Sequence, residues 1–164
     1  MICLFIVSCG VVSRTAQTDR NVINEGGKNE MNSTAPMRNT SISGINNQLY
    51  QAYQEWKGTP HILGGAGING VDCSSFTQIV YSEYFGIELP RNTREQLGEG
   101  RGIRRNQIRP GDLIFFQTSR RDLHVGIAMN NGDFLHAASS TGVAISNLSE
   151  NYWAGRYLGA RRIL

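Results

Sequence analysis

The hydrophobic period of this chain changes once, and that change sets its fold class. From about Asn46, residues Leu49, Tyr50, Tyr53 and Trp56 recur at helical spacing, predicting a helix over 46–57 that Lys57-Gly58-Thr59-Pro60 ends. Phe76, Ile79, Val80 and Tyr84 mark one face of a second helix, which Gly86 stops, and a short helix fits Thr93–Gly98. Beyond the tight-turn signal Arg109-Pro110-Gly111-Asp112 the pattern shortens. Leu113–Gln117, His124–Met129 and Phe134–Ala138 read as strands, with Val143–Ser146 and Tyr157–Ile163 as a fourth and fifth. Helices first and strands afterwards predict an α+β fold, an antiparallel sheet packed against N-terminal helices.

The first 45 residues carry neither period. Residues 1–10 read MICLFIVSCG, and the apolar run Ile2–Val7 is far too short to span a bilayer, which takes roughly 20 residues. Ile6-Val7-Ser8-Cys9 resembles a bacterial lipobox, which implies cleavage before Cys9 and a lipid anchor there. Gly10 stands where Asp would act as a retention signal in proteobacterial lipoproteins, so the resemblance implies the outer membrane. A buried N-terminal strand is the other reading of the run. Residues 10–45 are rich in Asn, Ser, Thr and Gly and read as a flexible tether. The expected organisation is a signal segment over 1–9, a tether over 10–45 and one domain over 46–164.

The whole chain has 164 residues and a formal charge of +3, and its basic residues are spread along it with no run longer than a pair. Nucleic-acid binding needs a denser basic face and is not expected. Of three cysteines, Cys3, Cys9 and Cys73, only Cys73 lies in the patterned region, so a disulfide framework is excluded there. A lone thiol in an exported domain is a liability unless it is buried or used.

Cys73 falls at the predicted start of the second helix. Free backbone N–H groups and the positive helix end favour thiolate over thiol and offer donors for an oxyanion. A buried structural cysteine fits this position equally well. Two of the three histidines lie on neighbouring predicted strands, His124 and His136, joined through Asn130-Asn131-Gly132. A two-residue loop would put them on opposite faces of the sheet. A three-residue loop, a type I turn with Gly132 left-handed, would set Gly126 opposite His136. The two imidazoles would then be diagonal neighbours on one face, about 7–8 Å apart. Catalysis therefore demands an odd loop or a bulge between 129 and 134. His124 would be the general base for Cys73 and His136 the group that orients it. Gly126 would leave room for a ligand or for the nucleophile's helix.

Six ordered motifs carry a family resemblance. They are Gly58-Thr59-Pro60-x-x-Leu63-Gly64-Gly65, Val71-Asp72-Cys73-Ser74-Ser75-Phe76, Leu89-Pro90-Arg91-x-Thr93, Pro110-Gly111-Asp112-Leu113-Ile114-Phe115-Phe116, His124-Val125-Gly126-Ile127 and Phe134-Leu135-His136-Ala137. Together they resemble the NlpC/p60 family of papain-like cell-wall peptidases over residues 46–164. The resemblance implies a Cys–His–His site at Cys73, His124 and His136, and hydrolysis of amide bonds in peptidoglycan stem peptides or cross-links. It implies no metal or organic cofactor, a monomer, and a place on the periplasmic side of the cell envelope. Lipobox, tether and single domain are together similar to Spr-type lipoprotein murein endopeptidases. One motif departs: His61 stands where the family usually has Tyr, so His61 is expected to help the substrate or oxyanion in its place. Ser74 is expected to offer its N–H to the oxyanion, Asp72 to fix the turn before Cys73, and Arg91 to brace a loop or meet a substrate carboxylate.

Other readings remain open on sequence grounds. A thiol amidase or acyltransferase would use the same three residues. His61 hints at a weakened wall-binding homologue. Cys73, His124 and His136 also form the ligand set of a catalytic zinc site, three N/S ligands plus water.

Overall fold

The structure is a computed structural model and describes residues 41–164. The signal segment, Cys9 and the tether up to residue 40 lie outside the described residues.

Helix α1, Ile42–Trp56, begins four residues before the expected start. Ser41 caps it, accepting from the Gly44 N–H, and Ile45, Leu49 and Ala52 form its buried stripe. The chain then turns at Gly58, whose N–H donates to Val143 O at 3.0 Å, while the Val143 N–H donates to Thr59 O at 2.9 Å. Gly142 (φ +73°) makes this contact possible, because a Cβ there would collide with the Thr59 carbonyl.

A small hairpin follows, β1 (Ala66–Gly67) and β2 (Gly70–Val71), leading directly into α2 (Cys73–Val80). The second helix continues as a π-helical turn over Tyr81–Phe85 and ends at Gly86 with φ +67°, the left-handed stop expected. Next come α3 (Thr93–Gln96), β3 (Arg101–Ile103), β4 (Leu113–Gln117), β5 (Leu123–Ala128), β6 (Asp133–Ala138), β7 (Gly142–Asn147), α4 (Asn151–Ala154) and β8 (Tyr157–Arg162). The six-stranded sheet runs β3-β8-β4-β5-β6-β7, antiparallel throughout. The α+β expectation holds, and all five predicted strands are present.

Alternation along the strands divides the core in two. Leu113, Phe115, Val125, Ile127, Leu135 and Ala137 face α1 and α2, meeting Leu49, Phe76 and Val80. Ile114, Phe116, Ala128 and Phe134 face the other way and are covered by Leu148 and Trp153. Phe115 and Phe116 are both inaccessible, and burial of such a side chain contributes about 1.5–3 kcal/mol. His124 and His136 share the second face with Phe116 and Phe134, so the site grows out of that smaller core.

The Pro110-Gly111-Asp112 turn is tied to the last strand. Arg162 Nε and Nη2 donate to Asp112 Oδ1 and Oδ2, each at 2.7 Å, and the Arg109 N–H donates to Oδ2 at 2.9 Å. The buried Tyr81 hydroxyl donates to the Gly111 carbonyl and so links α2 to the same turn.

Candidate active site

Asp72 fixes the start of α2. Its Oδ1 accepts from the Ser75 N–H at 2.8 Å, and the Asp72 N–H donates back to Ser75 Oγ at 3.0 Å, a reciprocal capping box. Arg91 grips the same carboxylate with both ends of its fork, Nη1 to Oδ1 at 3.0 Å and Nη2 to Oδ2 at 2.7 Å. Gly64 N–H and Ser74 Oγ donate to it as well, at 3.1 and 2.9 Å. Burial alone would raise the Asp72 pKa, but Arg91, the Ser75 N–H and the Ser74 hydroxyl hold it down to about 2. The turn-fixing role expected for Asp72 and the bracing role for Arg91 both match this geometry.

This carboxylate makes stability depend on pH. Its folded pKa lies below the unfolded value of roughly 3.9, so its contribution is complete above that pH and is lost as pH falls toward 2. Urea unfolding of Asp72→Asn between pH 2 and 6 is expected to lose the part of the pH slope seen below pH 4 in the wild type. An unchanged slope would show that Asp72 is not the linked group.

The cap places Cys73 as the first residue of α2, 9% exposed. Its Sγ lies 3.6 Å from Thr93 Oγ1. Burial pushes the thiol up, and the Thr93 hydroxyl and the N–H groups of Val125 and Ser74 oppose that only in part. The helix start by itself favours thiolate, as expected, and burial of the side chain works against it.

The histidines meet as the parity argument requires, by a different turn. Asn131 (φ +60°) and Gly132 (φ +79°) are both left-handed, and the Asp133 N–H donates to Asn130 O. This is the two-residue pattern of a primed turn, not the expected type I turn with a single left-handed glycine. One extra residue restores the odd count: the Met129 N–H also donates to Asp133 O, at 2.7 Å. The resulting register is Ile127↔Leu135 and Ala128↔Phe134, and one step beyond this ladder Gly126 lies beside His136. The space at Gly126 is taken by neighbours rather than by ligand or helix, since a Cβ there would stand 2.7 Å from the Phe134 ring and 3.2 Å from His136 Cβ.

His124 Nε2 and His136 Nδ1 are 2.8 Å apart, and His136 Nε2 lies 3.0 Å from Ser146 Oγ. His136 is wholly inaccessible. Trp153 stacks on His124 (ring centroids 5.3 Å, 27°) and stands edge-on to His136 (5.0 Å, 86°). Burial pushes His124 down to about 4, helped by the nearby His61. His136 is pushed down to about 3 by burial, then by His124 and His61. Both imidazoles are neutral at pH 7.

His61 is held beside the helix entry, its backbone bridged in parallel to Val71. Its side chain lines a cleft of about 1330 Å³ together with Cys73, Ser74, His124 and His136. The structure thus brings five of the sequence-derived site residues together, and the sixth, Cys9, lies outside the described residues. Ser74 enters the cleft wall with its hydroxyl occupied by Asp72 and Arg91, so what it has left for a ligand is its N–H. Thr93, Ser146 and Trp153 were not among the expected site residues. Thr93 was visible only as a motif position, and the lone Trp153 in the polar stretch 149–156 was a weak signal for a ring over the site. Among the described residues no group of three or more His, Cys, Asp or Glu side chains is arranged to hold a metal ion.

Residues 58–162 match the profile of the NlpC/P60 family. The chain belongs to the NlpC/P60 family. A Haemophilus influenzae protein named probable endopeptidase NlpC homolog is 47% identical over 116 residues, covering 71% of this chain and 62% of that protein. The Escherichia coli murein DD-endopeptidase MepS/murein LD-carboxypeptidase is 43% identical over 120 residues, covering 73% of this chain and 64% of that protein. The chain therefore spans under two thirds of the length of these curated relatives. The crystal structure of an NlpC/P60 family protein from Bacillus cereus superposes with a TM-score of 0.66 at 29% identity, covering 73% of this chain and 40% of that one. The NlpC/P60 fold places Cys73 and the histidine pair in the shared cleft just described.

Proposed function

We propose that this NlpC/P60 protein is a cysteine endopeptidase that hydrolyses amide bonds in peptidoglycan peptides at the cell envelope. One observation carries the reading. A helix-start thiol shares a cleft with a neutral histidine whose far nitrogen is bonded to a second, buried histidine. Nucleophile, base and orienting group stand in the order that acyl transfer needs.

The chemistry runs from a neutral pair. His124 takes the proton of Cys73 as sulfur attacks the scissile carbonyl. The Thr93 hydroxyl and the N–H groups of Val125 and Ser74 support the sulfur as it becomes negative. The Cys73 and Ser74 N–H groups at the head of α2 and the His61 side chain serve the tetrahedral oxyanion, with His61 in the place of the usual Tyr. His124 then returns the proton to the leaving amine, and water hydrolyses the thioester by the same route in reverse. Lipidation at Cys9 and attachment to the outer membrane belong to this proposal and rest on the lipobox alone.

Digestion of purified cross-linked muropeptides, with mass analysis of the products, tests the reading. Cleavage that iodoacetamide stops and a chelator does not is the expected result. Transfer to an added amine in preference to water would replace hydrolase by acyltransferase. The pH profile is a separate check. A base must be neutral to act, and burial lowers His124 from an ordinary value near 6.5 to about 4. The acid limb of kcat/KM is therefore expected well below pH 6.5. An acid limb at 6.5 or above would contradict the buried neutral base.

A further inference from the structure

The histidine pair has a third member. Each ring nitrogen of His136 has one partner, His124 Nε2 at 2.8 Å and Ser146 Oγ at 3.0 Å. A neutral imidazole carries one N–H and one lone pair, so hydrogen bonds along Ser146–His136–His124 run in one of two senses. In the first sense His136 Nε2–H donates to Ser146 Oγ, and His136 Nδ1 accepts from His124 Nε2–H. The lone pair of His124 then sits on Nδ1, the ring nitrogen left for Cys73. In the second sense Ser146 donates its hydroxyl proton to His136, His136 donates to His124, and His124 Nδ1 carries a hydrogen. A base in that second state cannot accept a proton from the thiol.

The choice is made at the serine end. Ser146 belongs to β7, where it pairs with Phe134 and stands diagonal to His136. It is half-buried, lines the cleft, and has no other side-chain hydrogen bond among the described residues. Its O–H is free to turn toward the cleft, which leaves an oxygen lone pair for His136. The same lone pair serves when the pair is charged, because an imidazolium His136 also donates from Nε2.

We infer that Ser146 is a positioning residue that accepts the Nε2 proton of His136 and thereby keeps the Nδ1 lone pair of His124 available to Cys73. This inference rests on the Cys–His reading above and adds a residue that acts at one remove, through His136.

The test uses the full chain labelled with 15N-histidine, as wild type, Ser146→Ala and Ser146→Thr. Long-range 1H–15N correlation at pH 7 is expected to show His124 Nδ1 bare and Nε2 protonated in the wild type. In Ser146→Ala the His124 nitrogens shift toward the opposite tautomer. Its kcat falls about 10-fold or more, since a wrong tautomer of a triad histidine can cost up to about 10⁴. KM stays within about twofold, because Ser146 acts on the base rather than on substrate. Ser146→Thr, which keeps the oxygen, restores both shifts and rate. Wild-type nitrogen shifts in Ser146→Ala would overturn the inference, as would a rate loss without a shift change or a failure of Thr to rescue. The shifts are read without turnover, so a dispensable Cys73 would overturn the catalytic reading while leaving the tautomer result interpretable.

Discussion

Replacing Cys73 with alanine is expected to abolish cleavage of cross-linked muropeptides while leaving the protein folded. Loss of a triad nucleophile costs on the order of 10⁶ in kcat, because base and oxyanion donors then have nothing to activate or stabilise. The fold has little stake in the sulfur. The cap at the head of α2 is built from the Asp72 and Ser75 side chains and backbone, none of which the substitution touches. Alanine is the better helix former, and the small gap it leaves beside Thr93 is worth about 1 kcal/mol. Sacculus digestion with mass analysis, alongside thermal unfolding, separates the two effects. Wild-type cleavage by Cys73→Ala would remove the nucleophile from the proposal, and a collapsed melting transition would move Cys73 from the chemistry to the core.

The largest stability effect is expected at Asp112, outside the cleft. Asp112 and Arg162 have side chains only 2% and 10% exposed. Arg162 spends its Nε and one Nη on the carboxylate and also reaches the Gln107 carbonyl at 2.9 Å. Asp112→Ala leaves that largely covered guanidinium with no counter-charge, and breaking a buried pair costs up to about 3–5 kcal/mol. A domain of this size has about 5–15 kcal/mol in total, so the melting temperature should fall by about 10–20 °C. Asp112→Asn, which keeps an acceptor for the Arg109 N–H, should fall between the two. Urea unfolding measures the difference. A loss under about 1 kcal/mol would mean that the pair's attraction merely balances its desolvation. Activity per folded molecule should be unchanged in either variant, since neither side chain lines the cleft.

Much of the site was legible because its residues have few structural substitutes. A single cysteine in the patterned region and two histidines on adjacent strands left one geometric question, the parity of the hairpin. Strand period answers that question in principle, since a one-residue slip reverses every side chain. The turn chemistry was harder to read, because Asn130-Asn131-Gly132 is compatible with several turns. The choice among them is fixed by tertiary bonds such as Asn147 Nδ2 to the Asn131 carbonyl at 3.1 Å. The surroundings of the Cys73 thiol were not legible either. Helix position is a local property, but the burial of the thiol and its bonds from Thr93 and Val125 come from parts of the chain distant in sequence. Ser146 escaped notice because a half-buried serine on an edge strand has no periodic signature. The early start of α1 was readable in hindsight from Ser41, an N-cap residue placed just before Ile42 and Ile45.

The position of β8 has a consequence for biosynthesis. Tyr157–Arg162 is the last of the eight strands to be made, yet it lies between β3 and β4. Until it leaves the ribosome, a nascent chain holds two unpaired strand edges where the finished protein has an interior ladder, and open edges invite pairing with other chains. Asp112 likewise waits for Arg162. The sheet therefore closes only when its last strand is in hand, which leaves the central ladder the latest part of the fold to be completed.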